Sequence, residues 1–157
     1  MAKEYISALG LDIGRRRIGV AGCDRLGMLV TELPTLKNRS FQAVVAELRS
    51  LVEQRQVNVL VVGLPYTMGG DIGTQAKWVQ SFAEKLSSVL QLPVEYVDER
   101  LTSFQAEQML MAEGVSPTHH KGLIDQKAAA IILQQWLDQR ASAPLPSSNE
   151  SVAGDPE

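Results

Sequence analysis

The spacing of apolar positions changes several times along this chain. Tyr5 to Asp12 is a short buried-strand pattern, Arg17 to Cys23 is a second after the turn-like Gly14-Arg15-Arg16, and Gly27 to Leu33 is a third across Asp24-Arg25-Leu26. Runs this close together predict three antiparallel strands. From Ser40 to Gln54 the period lengthens: Phe41, Val44, Val45, Leu48, Leu51 and Val52 form the stripe of an amphipathic helix. Val57 to Val62 is a β-branched run of the kind found in sheets covered on both faces. A second helix is expected from Thr74 to Leu90, burying Trp78, Val79, Phe82, Leu86 and Val89, and Val94 to Val97 adds another strand. Thr102-Ser103-Phe104-Gln105 has capping-box spacing and opens a short helix through about Met111. The loop Gly114 to His120 then leads to a last helix ending near Gln139.

The resulting order, βββαβαβαα, constrains the fold. A helix between two strands makes a right-handed crossover and parallel pairing, so the first, fourth and fifth strands should lie parallel while the hairpins extend the other edge. The expected architecture is an α/β fold, a five-stranded mixed sheet with helices on both faces. Trp78, Met109, Met111 and Trp136 read as packing residues of those helices. No repeat or linker divides residues 1–140, which form one expected domain. Ala141 to Glu157 is rich in Ala, Pro, Ser and Gly and reads as a disordered acidic tail.

Composition narrows the function. A chain of 157 residues with 45% hydrophobic and 21% charged residues is one globular domain. Cys23 is the single cysteine, which rules out an internal disulfide and a four-cysteine zinc site, and the two histidines, His119 and His120, are adjacent, which disfavours a histidine-rich one. No apolar run is long enough to span a bilayer, and Met1-Ala2-Lys3-Glu4 lacks the shape of a signal peptide, so a cytoplasmic protein without membrane partners is expected. The net charge of -3 argues against a broad basic face. Residues 1–140 nevertheless balance 15 cations with 15 acids, and the excess comes from Glu150, Asp155 and Glu157 in the tail.

The candidate chemistry sits where ligands collect in such sheets, at the carboxyl ends of the parallel strands. Asp12 ends the first strand, Glu99 follows the fifth in Asp98-Glu99-Arg100, and Asp125 shares a helix face with Ala128, Ala129 and Ile132. Singly, each has a structural reading: a turn before Gly14 for Asp12, a pair with Arg100 for Glu99, a helix-dipole partner for Asp125. Together, three acids from distant segments suit a hard divalent cation, Mg2+ or Mn2+. Arg15, Arg16 and Arg17 can bind phosphate bidentately, although Arg15 and Arg16 also read as a solvated hairpin tip. The glycine-rich loop Gly63 to Gly70 before the helix at Thr74 could hold a phosphate, and Lys121 adds charge to the loop carrying the histidines.

Four ordered stretches carry a closer resemblance. Asp12-Ile13-Gly14-Arg15-Arg16-Arg17-Ile18-Gly19-Val20-Ala21, Val62-Gly63-Leu64-Pro65, Asp98-Glu99-Arg100-Leu101-Thr102 and Asp125-Gln126-Lys127-Ala128-Ala129-Ala130-Ile131-Ile132-Leu133 resemble the successive motifs of the YqgF family across nearly all of residues 1–140. That family comprises Holliday-junction-resolvase-like proteins, also described as pre-16S rRNA nucleases. The resemblance implies an RNase H-like fold and metal-dependent phosphodiester hydrolysis, with Asp12, Glu99 and Asp125 as catalytic metal ligands. Arg15, Arg17, Arg100 and Lys121 are the candidate substrate contacts. The chain departs from the family at Thr67-Met68-Gly69-Gly70, where Asn-Met-Asp-Gly is common. The expected function is a metal-dependent endonuclease processing the 5′ end of precursor 16S rRNA in ribosome biogenesis, as a monomer or homodimer. Alternatives are resolution of branched DNA in recombination and repair, and a non-catalytic RNA-binding module of ribosome assembly. An actin-like or sugar-kinase phosphate site would need a second such domain.

Overall fold

The computed structural model describes residues 6–66, 69–99, 102–114 and 121–142. The strands are β1 (Ala8–Ile13), β2 (Arg17–Cys23), β3 (Val30–Lys37), β4 (Val59–Leu64) and β5 (Val94–Asp98). The helices are α1 (Phe41–Arg55), α2 (Thr74–Leu90), α3 (Thr102–Ala112) and α4 (Lys121–Ser142). They form one five-stranded sheet in the order β3-β2-β1-β4-β5, with β1, β4 and β5 parallel and β1, β2 and β3 antiparallel. The element order and the mixed sheet are those expected. Expectations for Tyr5, Thr67, Met68, Arg100, Leu101, residues 115–120 and the tail from residue 143 lie outside the described residues, as do those for the side chains of Thr102, Ser103, Phe104 and Lys121.

Strand alternation sorts the interior into two cores. Leu9, Leu11, Ile18, Val20, Leu60 and Val62 pack with Val44 and Leu48 of α1 and with Ala76, Val79, Ala83 and Leu86 of α2. Ala8, Ala21, Val59, Val61 and Val97 face the other way, onto Ala129, Ile132, Leu133, Trp136 and Leu137 of α4. Ser40 caps α1 by accepting from the Ala43 N–H at 3.1 Å, satisfying a donor the helix leaves free. Phe82 of α2 stacks edge-on against Phe41 with centroids 5.6 Å apart, joining the two helices.

Three expectations need correction. The third strand runs from Val30 to Lys37 and not from Gly27 to Leu33. The Asp24 carboxylate accepts from the Met28 and Leu29 N–H groups at 2.7 and 3.0 Å, which folds 24–29 into a turn and leaves Leu26, Met28 and Leu29 exposed. β3 is an edge strand, which is why it accommodates Pro34 near a register shift against β2. Gly63 belongs to β4, opposite Val97, and not to the loop that follows. Val89, Met109 and Met111, expected to pack, are exposed because neither core reaches that side of their helices.

Candidate functional site

Asp12 lies on the α4 face of β1, two residues beyond Gly10 and opposite Gly19 of β2. Three glycines let α4 lie almost on the backbone there. A Cβ on Gly10 would come within 2.8 Å of the Leu133 Cβ and 2.9 Å of the Ala129 carbonyl. One on Gly19 would collide with the Asp125 carbonyl, and one on Gly63 with the Glu99 carboxyl and Ile132. The bare strand surface thus seats α4 so that Asp125 arrives beside Asp12. Glu99, just past β5, is fixed by its N–H donating to the Leu64 carbonyl at 3.1 Å, which aims its side chain over Gly63.

Asp12 and Glu99 meet in a side-chain hydrogen bond. Burial, then the charge of Asp125, raises Asp12 to about 6 against the opposing effect of that hydrogen bond. Burial, followed by the charge of Asp12, their hydrogen bond and the charge of Asp98, raises Glu99 to about 9. Glu99 therefore keeps the proton at neutral pH and Asp12 carries the charge, as two carboxyls in one site must divide one proton. The Glu99 Oε1 is buried without a hydrogen-bond partner.

Asp125 is placed differently. Its charge reaches Asp12, yet its Oδ2 accepts from the Arg17 Nε at 2.8 Å. Burial raises the Asp125 carboxyl, while the hydrogen bond and charge of Arg17 pull it back. Among the described residues no three acids, histidines or cysteines stand close enough to share a metal ion as arranged here. Asp12 and Glu99 are joined and Asp125 is one ion pair away. Even so, the donor set fits a hard cation: carboxylate oxygens from three elements, one of them orphaned and a pair that cannot comfortably ionise alone.

Arg15 and Arg16 are exposed on the β1–β2 turn, and the Arg15 guanidinium lies 4.4 Å from the Trp78 ring centroid. Arg17 is half-buried and pairs with Asp125 directly, a role distinct from that of its two neighbours. Sequence reasoning missed Gly10 and Gly19 as the seat of α4. The available signal was a glycine within each strand pattern, which marks close backbone approach.

The family profile described as RuvX: Holliday junction resolvase matches residues 6–139. The chain belongs to the RuvX family. This RuvX protein is 64% identical over 137 residues to a Trichormus variabilis protein named "Putative pre-16S rRNA nuclease", covering 87% of this chain and 91% of the relative. A Thermosynechococcus vestitus protein of the same name is 57% identical over 152 residues, covering 97% and 99%. Among solved structures, T. thermophilus RuvC in complex with Holliday junction substrate superposes with a TM-score of 0.52 at 14% identity, covering 88% of this chain and 97% of RuvC. The yeast mitochondrial Holliday junction resolvase Ydc2 gives 0.50 at 13% identity, covering 89% and 82%. Likeness at that identity is one of fold, and it places this RuvX chain in the RNase H-like resolvase architecture expected from its motifs.

Proposed function

We propose that this RuvX-family nuclease hydrolyses phosphodiester bonds of precursor 16S rRNA at its 5′ end, using Mg2+ or Mn2+ held by Asp12, Glu99 and Asp125. The single observation that carries the reading is the Asp12–Glu99 pair, half-buried where β1 and β5 end, with one Glu99 oxygen orphaned and the charge of Asp125 acting on Asp12. A bound divalent ion supplies charge stabilisation of the transition state and a water acidified enough to act as nucleophile. The names of the curated relatives support rRNA as the substrate.

The chain's own residues do the rest. Asp12, ionised at neutral pH, would offer the first anionic oxygen to a bound cation, and Glu99 would have to release its proton to offer a second. Arg17 neutralises Asp125 in the free protein and has a planar fork suited to a phosphate oxygen, so an arriving phosphodiester competes with Asp125 for it. Arg15 contributes positive charge beside it, and Arg100 and Lys121 are proposed as further substrate contacts on sequence grounds. Residues 1–140 are proposed to act as one nuclease domain. No helix among the described residues is long and apolar enough to cross a membrane, and a cytoplasmic location is part of the proposal, supported by the rRNA-nuclease names of the relatives.

The family profile's description, together with the RuvC superposition, favours junction DNA as a second reading. One experiment separates these readings: cleavage of matched precursor 16S rRNA and four-way-junction DNA in Mg2+, in Mn2+ and in EDTA, by wild type and Asp12→Asn. The expected result is metal-dependent cleavage of the rRNA, reduced roughly a thousandfold in Asp12→Asn, about 4 kcal/mol of barrier. Wild-type rates in that variant would overturn the site. Preferential junction cleavage would shift the substrate, and no cleavage of either would leave a non-catalytic RNA-binding module.

A further inference from the structure

The β1–β2 turn and the β3–α1 connection gather more positive charge than the acids use. Arg15, Arg16, Arg17, Lys37, Asn38 and Arg39 line a depression of about 400 Å³ that contains no carboxylate. Arg17 is opposite Lys37 in the β2–β3 ladder, so both side chains emerge on the sheet face that carries Asp12. Asn38 ties the two loops together: its side-chain amide donates to the Gly14 carbonyl at 2.9 Å and its N–H to the Arg16 carbonyl at 2.8 Å. The turn is closed further by the Gly14 N–H donating to the Arg17 carbonyl at 2.9 Å. Of the five cations only Arg17 forms an ion pair with a described residue, and Arg15, Arg16, Lys37 and Arg39 are exposed.

Clustered like charges on a stapled scaffold repel one another unless an anion joins them. We propose that Lys37 and Arg39, with Arg15 and Arg16 and held in place by Asn38, form a second phosphate subsite that seats the nucleic-acid backbone flanking the bond to be cut. The identity of the ligand, a phosphodiester strand, rests on the nuclease reading. The subsite lies beyond Arg17, so Arg17 sits between it and the acid pair, and one strand can engage both. Guanidinium and ammonium groups there contact phosphate and carry no base information, so the subsite sets register and leaves sequence unread.

The test is binding without metal, which keeps it separate from cleavage. Fluorescence anisotropy in EDTA, from about 50 to 200 mM salt, is measured with a labelled single-stranded RNA and a labelled four-way-junction DNA. Wild type, Lys37→Ala/Arg39→Ala and Lys85→Ala, the last at an exposed position on α2, are compared. The double variant is expected to bind both probes about tenfold more weakly, with a salt slope shallower by about 0.7 for the RNA, the share of one phosphate contact. Its melting temperature should match wild type, and Lys85→Ala should change nothing. No binding by wild type, unaltered binding by the double variant, an equal loss in Lys85→Ala, or a loss confined to one probe would each overturn the subsite. Wild type that binds both probes and cleaves neither in Mg2+ would instead remove the nuclease reading while the subsite stands.

Discussion

Toward α1 and α2 the sheet presents Leu9, Leu11, Val20, Leu60 and Val62, and toward α4 it presents Ala8, Gly10, Gly19, Ala21 and Gly63 with Asp12 among them. The large side chains of the first face hold two helices at ordinary packing distance and fill the space between with aliphatic carbon. On the second face the missing side chains bring one helix down to backbone contact, and the volume saved goes to carboxylates. Both faces bury an apolar core, and the α4 face carries the close-approach glycines and the carboxylates as well.

Substitutions can break this division. Leu48 of α1 is fully buried in the aliphatic face, and Leu48→Ala should lower unfolding free energy by about 2 to 5 kcal/mol in denaturant melts. The remaining folded protein should keep the wild-type cleavage rate, and a matching loss of turnover would show the faces to be coupled. Gly19→Ala is the converse. Its methyl meets the Asp125 carbonyl, α4 must move, and turnover should fall roughly a hundredfold, the scale expected for misplacing a catalytic group by about 1 Å. Normal turnover in Gly19→Ala would mean that close seating of α4 is dispensable.

A smaller effect separates the faces by pH. Asp12 and Glu99 stand at about 6 and about 9 in the fold, against 3.8 and 4.5 ordinarily. The folded chain therefore holds protons that the unfolded chain has released, and stability falls as pH rises through that window. In metal-free buffer Glu99→Gln should melt roughly 3 °C or more above wild type at pH 9, and the difference should vanish below about pH 4, where both states are protonated. A constant difference across that range would count against the shared proton. Smallest is Ser40→Ala on the aliphatic side, which removes the α1 cap and should cost about 1 kcal/mol at every pH, with no change in turnover.

Much of this arrangement was legible in the residues themselves. The helical stripes from Phe41 and from Thr74, and the β-branched run ending near Val62, gave the crossover topology because periodicity reports which side of an element is buried. β3 was misplaced because Leu26, Met28 and Leu29 look like strand residues, whereas the Asp24 side chain takes the N–H groups they would have offered a neighbour. Asp12, Glu99 and Asp125 could be named from strand ends and motifs. That Asp125 would face Arg17 while Asp12 and Glu99 share a proton depends on distances across 108 residues of chain, which no local pattern encodes. Lys37 and Arg39 passed unnoticed since their meaning comes from the ladder that sets Lys37 opposite Arg17.

α4 lies against all five strands, and among the described residues it is the last helix to be made. During translation Asp12 and Glu99 leave the ribosome well before Asp125 does. A nascent or prematurely terminated chain that stops short of α4 therefore lacks Asp125 and the helix that covers the Asp12 face of the sheet. Under the proposed metal site, such a fragment would lack one of its three ligands until α4 is complete.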